Sequence, residues 1–190
     1  MQLKLSRLSG IFSRNISVFL IFCLTDFSAC KKSGVSEFSK LPAPTQIGAN
    51  TFGCLVNGKA FLPSSGGYSS PPKLAADYSP SPTGGLTIYA RNKSDNGVYT
   101  LVSLKTDSLS VEEGQTLHLS TRAPGNAVGF FSAGGNYMTG QGATGTLTIT
   151  KLDLVNKIIS GSFDFEAKDT AGNLVKITDG RFDVHFPISE

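Results

Sequence analysis

From Thr51 onward, apolar and polar residues alternate in short runs that are separated by turn-forming residues. Alternation with a period of two places neighbouring side chains on opposite faces and predicts half-buried β-strands rather than helices. The clearest run is KIISGSFDFEAKD, in which every second residue is apolar or small. We predict an all-β fold of about ten short strands, an antiparallel β-sandwich, with a β-barrel as the alternative architecture. The predicted buried face of that run comprises Ile159, Gly161, Phe163, Phe165 and Ala167.

The dipeptide Asn57-Gly58 predicts a β-hairpin between TFGCLV and KAFLP. A two-residue type I′ turn needs positive φ at both central residues, and Asn-Gly is the pair that adopts it most readily. In this register Cys54 lies opposite Phe61, which explains Cys54 as a small core residue.

Two further features describe the connections between strands. Asp179-Gly180 predicts a second two-residue hairpin, with Ile177 opposite Phe182. The Ser-, Pro- and Gly-rich stretch at 63–85 is predicted to be one long loop.

The N-terminal segment has the composition of an export signal. Lys4, Arg7 and Arg14 are followed by the nine-residue apolar run ISVFLIFCL. Because a membrane span needs about 20 apolar residues, this run is too short to be a transmembrane helix. A basic region followed by a short apolar run predicts a signal peptide, here over residues 1–29.

The end of this signal indicates a lipid anchor. Ordinary signal peptidase prefers small residues three positions and one position before the cut, and Phe27 is too bulky for the first of these. The sequence Phe27-Ser28-Ala29-Cys30 instead resembles the bacterial lipobox. This resemblance implies that Cys30 carries acyl chains, which hold the protein to a membrane.

After the lipobox the chain is polar and rich in Ser, Lys, Pro and Gly. We predict that residues 30–50 form a flexible tether that spans about 25 Å, and that 51–190 is a single β-sandwich domain. Lys31 directly after the cysteine resembles lipoproteins that are sorted to the outer membrane. The acidic cluster associated with surface export is missing, so the expected location is the periplasmic face of a bacterial outer membrane.

Composition and charge argue against nucleic acid as a partner. The 190 residues are 39% hydrophobic and 16% charged, which suits one globular domain. Of the net charge of +3, +2 lies in the first 29 residues. The remaining +1 is spread without a basic run, so the domain lacks the electrostatic footprint of a nucleic-acid-binding protein.

Two glycine patterns resemble nucleotide-binding motifs but lack their structural context. The segment 53–60 has Ala60 where a P-loop needs Ser or Thr for magnesium. The segment 140–145 matches G-x-G-x-x-G, but the TLTITKLD that follows predicts a strand rather than the required helix. No cofactor is predicted.

No catalytic or metal-binding constellation is predicted. His118 and His185 are expected on polar strand faces, and a pair of His185 with Asp183 would lack a third metal ligand. A hydrolase stays open as an alternative only if Asp164, Glu166 and Asp183 cluster inside a pocket.

The predicted role is therefore a non-catalytic binding or structural module. Loops on a rigid β-scaffold commonly carry binding residues, although a packed or solvated loop without a ligand is the alternative. A glycan-binding accessory of a polysaccharide-uptake system is a second alternative, which requires exposed, coplanar aromatic rings. No particular protein or glycan partner is predicted. The candidate binding residues are Tyr68 and Tyr78 in 63–85, and Phe130, Phe131 and Tyr137 in the glycine-rich region.

Three stretches carry a family resemblance: NTFGCLVNGKAFLP, SGSFDF and VKITDGRFDVHF. They resemble domain of unknown function 6252, a family of Bacteroidota lipoproteins, over most of residues 48–187. The resemblance implies an exported, anchored, single β-domain, and it brings no established activity. Asp107-Ser108-Leu109 and Asp169-Thr170-Ala171 are similar to the O-glycosylation acceptor pattern of that phylum, so Ser108 and Thr170 are candidate sites.

Overall fold

The computed structural model describes residues 35–64, 72–80, 83–93 and 97–187. The predicted signal peptide, Cys30 and Tyr68 lie outside these residues. One compact unit of the chain spans Val35–Glu190. No helix in the described ranges is long and apolar enough to cross a membrane.

The described residues are almost entirely β-strand, which confirms the predicted all-β fold. A short 3₁₀-helix at Phe38–Lys40 precedes eleven strands in the described part of the chain. The strands are β1 Thr51–Val56, β2 Lys59–Phe61, β3 Leu74–Ser79, β4 Gly85–Lys93, β5 Tyr99–Thr106, β6 Thr116–Leu119, β7 Ala127–Ala133, β8 Asn136–Met138, β9 Gly145–Asp153, β10 Ile158–Lys168 and β11 Leu174–His185.

The strands form one continuous sheet in the order β2-β1-β11-β10-β9-β6-β7-β5-β4-β3, and β8 pairs with β7 and β10. The pairing of β6 with β7 is parallel, and the other pairings are antiparallel. Buried side chains from both halves of the sheet belong to one hydrophobic core. Tyr78 of β3 and Phe186 after β11 pack edge to face with ring centroids 5.5 Å apart. Residues far apart in strand order therefore meet across a shared interior.

The hairpin predicted at Asn57-Gly58 is confirmed. Both residues have positive φ, 47° and 77°, as a type I′ turn requires. Cys54 pairs with Phe61, as predicted. Cys54 is fully buried, and burial raises the pKa of its thiol. Its side chain is therefore an unreactive part of the core.

The hairpin predicted at Asp179-Gly180 is wrong, because both residues lie inside β11. Asp179 has φ of 55° at a β-bulge. Phe163 pairs with Gly180 but Phe165 pairs with Ile177, so β11 holds one residue more than β10 over this interval. The Asp-Gly pair supplies the positive φ of the bulge rather than that of a turn.

Gly180 also makes room for an aromatic ring. A Cβ atom at Gly180 would lie 2.5 Å from Cδ2 of Phe163, which real side chains do not tolerate. Two more glycines are covered in the same way, and a Cβ there would lie 2.6–2.9 Å from a ring atom. Aromatic rings that lie over glycines of other strands therefore recur in the core. The three pairs are Phe163 with Gly180, Phe182 with Gly161, and Phe165 with Gly129.

The long loop predicted at 63–85 is interrupted by a strand. Residues Leu74–Ser79 form β3, which pairs with β4 and lies at the end of the sheet order. Ala76 and Tyr78 point into the core and are buried. The prediction was wrong here because Ser, Pro and Gly residues on both sides of β3 dominate the composition of the 63–85 stretch. A strand of only six residues does not change that composition enough to be recognised.

Candidate functional site

The segment before β1 is held against the sheet. We call residues 41–50 the N-terminal strap. Leu41 is buried, and the carbonyl oxygen of Pro42 accepts a hydrogen bond of 3.2 Å from Nη1 of Arg181. At the other end of the strap, Oδ1 of Asn50 accepts from the amide of His185 at 3.0 Å. The predicted flexible tether over 30–50 is therefore wrong for residues 35–50, which are part of the folded unit.

The centre of the strap is fixed by one carboxylate on β11. Asp183 is 1% exposed and accepts five hydrogen bonds, an arrangement we call the Asp183 clamp. Oδ2 accepts from the Thr45 hydroxyl at 2.6 Å and from two strap amides at 3.1 Å. Oδ1 accepts from a third strap amide and from the Ser160 hydroxyl, each at 2.8 Å. The three amides belong to Ile47, Gly48 and Ala49.

The clamp keeps Asp183 ionised. Burial by itself raises the pKa of this carboxyl, but hydrogen bonds from Thr45, Ala49, Ser160 and Ile47 outweigh burial and lower the pKa to about 2. A carboxylate offers about four acceptor positions, and five donors occupy them. The side chain has no accepting position left for a metal ion or a substrate, so its chemistry is structural.

His185 lies beside the clamp and packs on Gly48. A Cβ atom at Gly48 would fall on the imidazole, 2.7 Å from Nδ1, and Gly48 has φ of 72°. The ring therefore covers the strap rather than joining Asp183 at a metal ion. Within the described ranges, no group of three or more His, Cys, Asp or Glu residues could hold a metal ion.

A shallow polar cavity of about 310 Å³ lies over β6, β9, β10 and β11. His118 pairs with Thr146, and Thr146 pairs with Asp164, so the three lie side by side on adjacent strands. The Thr146 hydroxyl donates to Oδ2 of Asp164 at 2.9 Å. Glu166 also lines the cavity and forms an ion pair of 3.3 Å with Lys176.

Asp183 does not line this cavity, because its side chain is enclosed by the N-terminal strap. The clustering of Asp164, Glu166 and Asp183 that the hydrolase alternative requires is therefore not formed. The cavity instead has a polar surface on which the Glu166 carboxylate is paired with Lys176. The Asp164 carboxylate accepts a hydrogen bond from the Thr146 hydroxyl.

Tyr68 lies outside the described residues, but the other four aromatic residues proposed for binding loops lie in strands, which corrects the prediction for them. Tyr78 is 2% exposed in β3. Phe130 and Phe131 lie in β7, and Phe131 is 6% exposed. Tyr137 lies in β8 and packs on Phe131 with ring planes inclined by 52°. These side chains do not form the exposed, coplanar platform that a glycan-binding loop requires.

The buried hydroxyl of Tyr78 allows a test of whether this side chain lies in the core. It donates to the carbonyl oxygen of Val111 at 3.0 Å. We expect Tyr78→Phe to lower the free energy of unfolding by about 1–2 kcal/mol, because a buried carbonyl loses its partner. Urea denaturation measures this loss. Tyr99→Phe is the matched control at a ring that is 42% exposed, and it should leave stability nearly unchanged. Equal stability of the two variants would contradict the buried placement of Tyr78.

The two candidate glycosylation residues occupy turns of different accessibility. Thr170 is exposed in the turn between β10 and β11. Ser108 is half-buried, has φ of 51° and donates to Asp107 Oδ1 at 3.4 Å. Modification at either residue stays a prediction.

The fold and the clamp define a single β-domain with an ordered N-terminal strap. The model of the family described as Domain of unknown function (DUF6252) matches residues 75–184. The chain belongs to this family. The match includes Asp183, but it leaves β1, β2 and the strap outside. Comparison with curated proteins and with solved structures finds no match.

Proposed function

We propose that the protein is a lipid-anchored protein of a bacterial outer membrane, on the periplasmic face, with acyl chains on Cys30. The β-domain acts as a non-catalytic binding or structural module that is held at that membrane. The observation that supports this proposal best is the lipobox-like sequence ending at Cys30, followed after five positions by the compact unit at Val35. A short connection between lipid and fold suits a domain that works close to a membrane.

The connection is short because the residues after Val35 are held against the sheet. Five residues reach at most about 17 Å even when fully extended. A free 30–50 segment would allow the domain to leave the surface. Glu37 and Pro42, however, are hydrogen-bonded to Ala60 of β2 and Arg181 of β11, and the Asp183 clamp holds residues 45–49, so little of this segment is free. An acylated Cys30 therefore keeps the folded unit within one small-domain diameter of the lipid headgroups.

Metabolic labelling with an alkyne analogue of palmitate tests the anchor. We expect the wild-type chain to take up the label and Cys30→Ala to take up none, because Cys30 is the proposed acylated residue. Cys54→Ala is the matched control and should be labelled like the wild type, since Cys54 is buried in the core. Labelled Cys30→Ala protein that stays with membranes after a high-salt wash would contradict the proposal.

A further inference from the structure

Exposed apolar side chains lie where the folded unit begins. Val35 is 72% exposed and Phe38 is 52% exposed. Leu62, 37% exposed, lies nearby across the strap, because both Leu62 and Pro42 approach the position of a Cβ on Gly53. These apolar side chains are partly exposed to solvent. They lie at the N-terminal end of the folded unit, which is the end that the chain joins to Cys30.

Basic side chains lie beside the apolar ones. The Arg181 guanidinium lies 4.9 Å from the centre of the Phe38 ring. Lys40 forms an ion pair with Glu37 at 2.6 Å, and Glu37 also accepts from the amide of Ala60 at 2.8 Å. These contacts tie the 3₁₀-helix to β2, which contains Lys59. We call Val35, Phe38, Lys40, Lys59, Leu62 and Arg181 the anchor-proximal patch.

The balance of charge in and around the patch is positive. Lys40, Lys59 and Arg181 outnumber the neighbouring carboxylates of Glu37 and Asp179. The residues between the anchor and Val35 add two more cations, in the sequence CKKSG. Basic residues at a membrane surface are attracted to anionic phospholipid headgroups, and a nearby apolar side chain adds burial to this attraction.

We propose that the anchor-proximal patch docks on the membrane that bears the anchor, with Val35 and Phe38 in the headgroup region and the cations at lipid phosphates. This inference rests on the proposed acylation of Cys30. The anchor keeps Val35, at the start of the patch, within about 17 Å of the surface, so docking is an intramolecular event at high effective concentration. Contacts too weak to recruit a free domain are then sufficient to orient a tethered one.

The orientation can be measured on the full acylated chain. Ser36→Cys, labelled with an environment-sensitive dye, places a probe in the patch, and Ala171→Cys places one in the exposed β10–β11 turn. Cys54 does not compete for the dye because it is buried and burial raises the pKa of its thiol. On vesicles of phosphatidylcholine and phosphatidylglycerol, we expect the probe at position 36 to be quenched by a lipid-borne quencher and the probe at 171 to stay in water.

Substitutions in the patch test which side chains cause the docking. We expect Phe38→Ser to lower the ratio of docked to undocked domain by about tenfold, since it removes the largest apolar contact. Val35→Ser should lower it less. Val155→Ser is the matched control, because Val155 is 88% exposed in the β9–β10 turn and lies outside the patch.

The outcomes separate the docking from the anchor. A probe at position 36 that stays in water while the acylated chain is bound to vesicles would overturn the docking and leave the anchor standing. Equal effects of Phe38→Ser and Val155→Ser would also overturn it. An acylated chain that does not bind vesicles would overturn the proposed anchor itself.

Discussion

Asp183→Asn is expected to release the N-terminal strap and to lower the free energy of unfolding by about 3 kcal/mol. The carboxylate accepts from five donors on two oxygens. An amide keeps one accepting oxygen and turns an NH₂ group toward donors, so several buried N–H and O–H groups lose their partners. Urea denaturation measures the stability, and hydrogen exchange at the amides of Ile47, Gly48 and Ala49 measures the release of the strap.

Asp164→Asn is the matched control for this substitution. Asp164 is exposed on the neighbouring strand and accepts one hydrogen bond from Thr146. Its loss should change stability by no more than about 0.5 kcal/mol. Unchanged exchange rates at the strap amides in Asp183→Asn would contradict the role assigned to the clamp.

The clamp also has a defined dependence on pH. The pKa of Asp183 falls from 3.8 to about 2, so the folded state binds this proton less readily than the unfolded state. Its contribution to stability is complete above the unfolded value and is lost as the pH falls from about 4 to about 2. Strap protection should decrease over this interval in the wild type, whereas in Asp183→Asn it should already be low.

Gly180→Ala is expected to lower the free energy of unfolding by about 2–3 kcal/mol through overpacking. The added methyl group would meet three atoms of the Phe163 ring at 2.5–2.6 Å. The ring has little freedom to move, because Phe52 and Phe182 pack around it with centroids 5.3 and 6.4 Å away. Urea denaturation measures the loss.

A control and a second substitution separate this clash from a general cost of removing glycine. A Cβ at Gly135 would lie 3.6 Å from the Tyr137 ring, at ordinary contact distance, so Gly135→Ala should be nearly neutral. Phe163→Leu should destabilise the Gly180→Ala protein less than the wild type, because leucine removes the ring atoms in the clash. Strictly additive effects of the two substitutions would contradict the ring-over-glycine packing.

The features that could be predicted from the sequence are local. The alternation in β10 identifies its buried face, and Ile159, Gly161, Phe163, Phe165 and Ala167 are all buried there. The Asn57-Gly58 turn follows from the conformational preferences of two residues. Neither conclusion depends on what the rest of the chain contributes.

The features that could not be predicted depend on distant partners. The strap donors of the clamp precede Asp183 by 134–138 residues, and three of the four are backbone amides that have no sequence signal. Asp179-Gly180 suits a turn and a bulge equally well, and the Phe163 ring across the sheet favours the bulge. The polar segment 35–50 cannot form a core alone, but it is ordered by contacts with β2 and β11.

The intact mass of the protein extracted from membranes tests the central proposal most directly. We expect a mature chain that begins at Cys30, with a mass that exceeds that of residues 30–190 by the mass of its attached lipid. A chain that begins at another residue, or one with a free thiol at Cys30, would contradict the lipid anchor.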